Sequence, residues 1–318
     1  MTRRYFTFLL LTLAVVAPQP AQAQQDTCLH RTLPLSFDVP AGFASTQLPL
    51  TDFRATLKSQ PVKILNIAPD ERPHRIVILL DASGSMTGIF LRALTLASVF
   101  VRDAAPNAQV ALLFFGANIK ETIGFTQGQS AVSERLRQLR EDKPAAAKLV
   151  HGKTAIYDAL LAGLDLFKEP TSADSLYLIS DGGETSSKAQ VSDVLQRMTA
   201  SGIRLFAAIL PIEVRRGAAT IIEPEEAPGI AEVAKKTGGE VVHAAEPLDP
   251  GHVREMALLL PILSRFHYNM LHTYRLEVEL PERLNKPHAW ELEIAGENRK
   301  RWKDVRLRYP TELAACGP

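Results

Sequence analysis

The chain has 318 residues, 46% hydrophobic and 22% charged, with 36 Lys and Arg against 35 Asp and Glu. This is an ordinary globular balance, enough for one large core or one domain with a small companion. No basic run or stripe is present, which excludes the electrostatic footprint of a nucleic-acid binder.

The first 23 residues read as a targeting segment. Arg3 and Arg4 form a positive start, residues 6–17 an apolar stretch, and Ala21-Gln22-Ala23 a small-x-small cleavage site. The apolar stretch is too short to span a bilayer, and no other segment approaches that length. A mature chain starting at Gln24 loses two positive charges, leaving 34 basic against 35 acidic residues, a balance of −1. The expectation is an exported protein, secreted or periplasmic, with no stable membrane insertion. The strongly apolar core favours general secretion over the twin-arginine route that Arg3-Arg4 faintly resembles.

From residue 75 onward strands and helices alternate. Residues 75–80 (RIVILL) read as a buried strand, 90–101 as an apolar-periodic helix and 108–115 (AQVALLFF) as a second buried strand. Residues 118–125 return through Gly116-Ala117 as a hairpin strand. Helices follow at 130–139 and 154–167, a strand at 174–180, a helix at 188–200 and a strand at 203–210. Residues 214–227 read as an exposed loop, 228–236 as a helix stopped by Gly238-Gly239, and 240–243 as a strand. A helix over 254–266, bent at Pro261, ends the series. Continuous apolar strands separated by helices imply a doubly wound, mostly parallel α/β sheet over residues 74–266.

The flanks differ. Residues 24–73 and 267–318 hold alternating, strand-like stretches such as LPLSFDV, TYRLEVEL and HAWELEI. Neither has enough strands to bury a core alone, so the two are expected to pair as one small β-sandwich with the α/β domain inserted between them. Cys28 and Cys316 lie near the two ends. In an exported chain this even pair reads as a disulfide tying the termini together, with two free thiols as the alternative.

The segment DASGSMTG (81–88) follows the first buried strand. Asp81, Ser83 and Ser85 fit a turn, a nucleophile site or a metal cradle. Their placement favours the cradle, because open α/β sheets bind ligands at the carboxyl ends of their strands. Thr154, at the head of a helix, and Asp181, after the strand DSLYLIS, are delivered to the same edge.

In these residues the sequence resembles the von Willebrand factor type A domain. The metal-ion-dependent adhesion site of that family is built from D-x-S-x-S, a threonine before a helix and an aspartate after a later strand. The matching positions are Asp81, Ser83, Ser85, Thr154 and Asp181, and the resemblance covers about residues 74–266. Lys153 stands where relatives usually carry a glycine. The flanking DFRATLKSQPVKI is similar to a segment of secreted bacterial proteins related to von Willebrand factor A, with Lys58-Ser59 in place of the usual Asp-Gly turn.

The resemblance implies Mg²⁺, with Mn²⁺ or Ca²⁺ as substitutes, bound directly by Ser83 and Ser85 and by Thr154 either directly or through water, while Asp81 and Asp181 orient the bound waters. Such an ion keeps unquenched positive charge and takes an Asp or Glu carboxylate from a partner protein. The expected function is therefore metal-dependent protein–protein adhesion, not catalysis. One alternative is a scaffold with a weak or vestigial metal site. Another is a serine hydrolase, for which no base and orienting acid can be named beyond His151 in a nearby loop. His267 and His272 lack the spacing of a zinc site.

Overall fold

The computed structural model describes residues 28–38, 49–104, 106, 108–216, 219–223, 229–244, 253–295, 302 and 305–316. The targeting segment lies outside them. Strands β1 (His30–Asp38), β2 (Phe53–Leu57) and β3 (Gln60–Pro69) come first. The α/β unit opens with β4 (Arg75–Asp81), α1 (Phe90–Asp103), β5 (Gln109–Phe115) and β6 (Ile119–Ile123). It continues through α2 (Gly128–Glu141), α3 (Lys143–Leu149), α4 (Ile156–Asp165), β7 (Ser175–Ser180), α5 (Val191–Ser201) and β8 (Arg204–Ile209). Then come β9 (Ile212–Arg216), β10 (Ala219–Glu223), α6 (Ile230–Thr237), β11 (Glu240–His243) and α7 (Val253–Leu271). The strands β12 (Tyr274–Glu279), β13 (His288–Ile294), β14 (Arg306–Arg308) and β15 (Glu312–Leu313) complete the described elements.

The α/β sheet has the order β11-β8-β7-β4-β5-β6, parallel except for the antiparallel pair β5 and β6. Its central strand is apolar from Ile76 to Leu80 because both faces are covered. Ile76, Ile78 and Leu80 pack with α1, α2 and α7, while Val77 and Leu79 pack with α4, α5 and α6. From β4 the chain goes to β5 and β6 on one side, then returns to β7 on the other. The carboxyl end of β4 is therefore the topological switch point, where such sheets open a crevice.

The flanking strands form one seven-stranded antiparallel sheet, ordered β14-β1-β12-β3-β2-β13-β15, in place of the expected two-sheet sandwich. It closes over its own apolar cluster, with Leu35, Phe37, Phe53, Leu276 and Trp302 at the centre. Phe37, Phe53 and Trp302 pack edge-on or tilted against one another, and this lets one curled sheet bury a core. Cys28 and Cys316 pair at its ends, their Cα atoms 5.4 Å apart. Arg204, fully buried at the start of β8, donates to the Ser36 hydroxyl of β1 and to the Asn269 and Met270 carbonyls of α7. The second sheet thus joins the amino end of the parallel strands and leaves their carboxyl edge open.

Several local expectations change. Within the stretch expected as a loop at 214–227, β9 and β10 form an antiparallel ladder. The connection before Thr154 contains α3, started by Asp142, whose side chain accepts from Ala145 N–H, and by Pro144 in the first turn. The last helix runs past Phe266 to Leu271 with Pro261 inside it.

Candidate functional site

Three loops meet at the carboxyl edge of β4 and β7. The first carries Asp81, Ser83 and Ser85. Asp81 is fully buried, and its two oxygens are both engaged: Oδ1 accepts from the Ser83 N–H at 2.8 Å and Oδ2 from the Ser180 hydroxyl at 2.6 Å. Burial pushes the Asp81 carboxyl up to about 6, against the pull of these hydrogen bonds, and the Asp181 charge adds to the rise. Beyond Ser83 the chain makes a short 3-10 turn, Gly84–Gly88. That turn brings the Ser83 and Ser85 hydroxyls within 3.1 Å of each other, the first buried and the second exposed.

The second loop delivers Thr154, which is 3% exposed. It is bonded to the first loop by Gly84 N–H to Gly152 carbonyl, 2.9 Å, and His151 N–H to Ala82 carbonyl, 3.0 Å. Gly152 adopts a positive φ of 84°, a backbone shape that a side chain would strain.

The third loop, DGGETSS, follows β7. Asp181 Oδ1 accepts from the Gly183 N–H at 3.0 Å, whereas Oδ2 is buried with no hydrogen-bond partner. Thr185 and Ser186 N–H groups donate to the Thr154 carbonyl at 3.0 and 2.9 Å, and the Thr154 N–H donates to Thr185 Oγ1 at 3.0 Å. Helix α4 begins at Ile156, two residues later than expected, and Thr154 does not cap it. Glu184 does so instead, accepting from Ile156 N–H at 2.6 Å and Tyr157 N–H at 3.4 Å, a negative charge on the positive end of a helix.

Asp81 ends β4, and the other four predicted positions lie on the loops that follow, which are bonded to one another. Lys153 at the same edge is exposed. Ser180 and Glu184 were not singled out in the sequence. A serine closing an apolar strand next to Asp181 was the available hint for the first; nothing in the pattern marked Glu184 as a helix cap, because the N–H groups it caps lie 27 and 28 residues away.

The hydroxyls of Ser83 and Ser85 pair with each other, and among the described residues no histidine ring reaches them. His151 Nδ1 instead lies 3.1 Å from the Lys148 carbonyl. His267 and His272 diverge, the one beside the Tyr177 hydroxyl and the other stacked on Tyr268. Among the described residues no three His, Cys, Asp or Glu side chains gather as a metal-holding group; the five-residue cluster has only two carboxylates, and its other oxygens are hydroxyls.

This architecture is a doubly wound α/β domain with an oxygen-lined loop cluster at its switch point. The sequence profile of the von Willebrand factor type A domain matches residues 76–184, within the α/β unit. No curated protein matches the chain. Solved structures similar to it include an aerotolerance-related membrane protein of Bacteroides fragilis, 19% identical over 60% of this chain and 99% of that one, with a TM-score of 0.42. BatB of Bacteroides thetaiotaomicron is 19% identical over 60% and 98% of the two chains, with a TM-score of 0.42. A von Willebrand factor type A protein of Catenulispora acidiphila is 14% identical over 86% and 75%, with a TM-score of 0.46.

Proposed function

We propose that the loop cluster is a divalent-cation site through which an exported protein holds a carboxylate of a partner protein. The observation that carries this reading is Asp181 Oδ2, a carboxylate oxygen buried without any hydrogen-bond donor. A buried carboxylate oxygen left without a donor is costly, and a cation or its bound water is the natural complement. The neighbouring donors are all oxygens, which suits Mg²⁺ first and Mn²⁺ or Ca²⁺ as substitutes. Ser83, Ser85 and Thr154 would supply hydroxyl oxygens, and Asp181 would hold bound water. Asp81, with both oxygens already accepting hydrogen bonds, would set the loop and the local charge. With neutral hydroxyls as direct ligands, the ion would retain positive charge for an Asp or Glu side chain of the partner.

This is a binding role, not a catalytic one, since a serine nucleophile needs a base held in place beside it. Export is supported by the targeting pattern at residues 1–23 and by the Cys28–Cys316 pair, which belongs in an oxidising compartment. No helix among the described residues is long and apolar enough to cross a membrane.

Calorimetric titration of the full chain with Mg²⁺ tests the reading. Wild type is expected to bind, and Asp81→Ala to lose binding; identical titrations would overturn the site. Peptides presenting a single Asp or Glu should then bind with Mg²⁺ and be released by chelator.

A further inference from the structure

The hairpin of β5 and β6 holds a group that neither the motif nor the family match picks out. Its register slips by one residue: Phe114 faces Glu121 and Phe115 faces Ile119, so Lys120 is the extra residue of a β-bulge. A bulge turns its side chain out of the ordinary alternation, and bulges recur beside functional sites. Lys120 Nζ donates to the carbonyls of Ala82 at 2.8 Å, Leu149 at 2.7 Å and His151 at 2.8 Å. All three donors of the ammonium are thereby used. Ala82 sits between Asp81 and Ser83, while Leu149 and His151 bracket the turn from α3 into the loop of Thr154.

The path to these carbonyls depends on Gly116. A Cβ there would come within 2.8 Å of Lys120 Cε and 3.3 Å of the His151 carbonyl oxygen. Gly116 also accepts the Ala155 N–H at 2.9 Å, so the hairpin is bonded to both sides of Thr154. Desolvation draws the Lys120 ammonium below its usual pKa, and the Asp81 charge opposes that fall.

We propose that Lys120 is a positioning residue of the cation site: its ammonium clamps the Asp81–Ser85 loop to the Thr154 loop, so that their oxygens are held together before the ion arrives. This rests on the cation reading above. The competing role is a plain brace of the hairpin, which would affect stability and leave the loops and the ion alone. Outer groups that orient ligands typically contribute 10–100-fold to metal affinity. Arginine is no substitute, because a planar fork cannot direct three donors at three converging carbonyls.

The test uses the full chain, with Mg²⁺ as the probe and amide exchange as a second readout. Lys120→Met should weaken Mg²⁺ binding about 10–100-fold and speed exchange at residues 82–85 and 149–153. Arg135→Met, which removes the ion pair of the same hairpin with α2 through Glu121, should leave Mg²⁺ affinity unchanged. Aminoethylation of Lys120→Cys rebuilds a lysine-like ammonium and should restore both affinity and protection. Unchanged affinity in Lys120→Met, or an equal loss in Arg135→Met, overturns the positioning role. If wild type shows no Mg²⁺ binding, the cation reading falls and the role in ion binding falls with it. Exchange then decides whether the clamp itself exists: unchanged rates in Lys120→Met would remove that as well.

Discussion

The Ser180 hydroxyl donates to Asp81 Oδ2 at 2.6 Å, joining the ends of two strands across 99 residues of sequence. Ser180 also accepts the Gly182 N–H at 3.0 Å, so one side chain fixes both the Asp81 carboxylate and the start of the Asp181 loop. Ser180→Ala leaves a buried carboxylate with one donor fewer. We expect a loss of about 1–3 kcal/mol in urea unfolding. Mg²⁺ affinity by calorimetry should fall about tenfold or more. The carboxyl of Asp81, already raised by burial, would rise further.

Asp181→Asn should act in the opposite direction on stability. The wild-type Oδ2 is buried without a donor, and its charge adds to the rise at Asp81. Removing that charge should stabilise the metal-free protein by about 1 kcal/mol. If the cluster binds Mg²⁺, wild type should melt higher in Mg²⁺ than in chelator, and the same change should abolish that rise. Thermal melts in chelator and in Mg²⁺ read both signs; destabilisation in chelator would contradict the assignment of an unpaired oxygen.

His267 predicts a pH dependence. Its ring is buried against Phe100 and Phe266, with Tyr177 Oη 3.4 Å from Nε2, and burial pushes its pKa down to about 4, opposed by the Asp103 charge. The unfolded chain, with an ordinary histidine, takes up the proton first. Stability from this residue is therefore full above about pH 6.5 and is lost as the pH falls toward about 4. Between pH 7 and 5 the loss should be about 2 kcal/mol. Urea unfolding of His267→Leu at the two pH values should show a difference smaller by that amount.

The β2–β3 hairpin turns through Lys58 and Ser59, both at positive φ, 50° and 65°. Two left-handed residues in a two-residue turn are the geometry that Asn-Gly adopts without strain. Lys58→Asn with Ser59→Gly should raise stability by about 1–2 kcal/mol. The exposed Lys58–Glu282 ion pair lost in the exchange is worth little. An unchanged denaturation midpoint would mean that the turn carries no such strain.

Much of this architecture is written locally. Residues 76–80 and 176–179 are apolar without alternation, too short for helices and set between helical stretches, which marks strands covered on both faces in a parallel sheet. The motif residues Asp81 and Asp181 follow those strands directly, so strand direction alone sends both to one edge. The flanking β segments were legible as strands but not as a single sheet, because alternation marks one buried face and says nothing of which strands share it. The hairpin at β9 and β10 was missed for a related reason: its charged residues read as solvent-facing, and backbone pairing does not depend on them.

What only the tertiary structure decided is how the site is held. Lys120 looks like an ordinary edge-strand lysine until the bulge turns it onto three carbonyls from two other loops. Glu184 looks like a solvent-facing loop acid until it caps a helix that begins 28 residues earlier. The sequence by itself determined which oxygens arrive at the carboxyl edge, since strand ends and local pattern are short-range. The hydrogen bonds that lock those loops together span long sequence separations, and such partners become neighbours only when the sheet has closed.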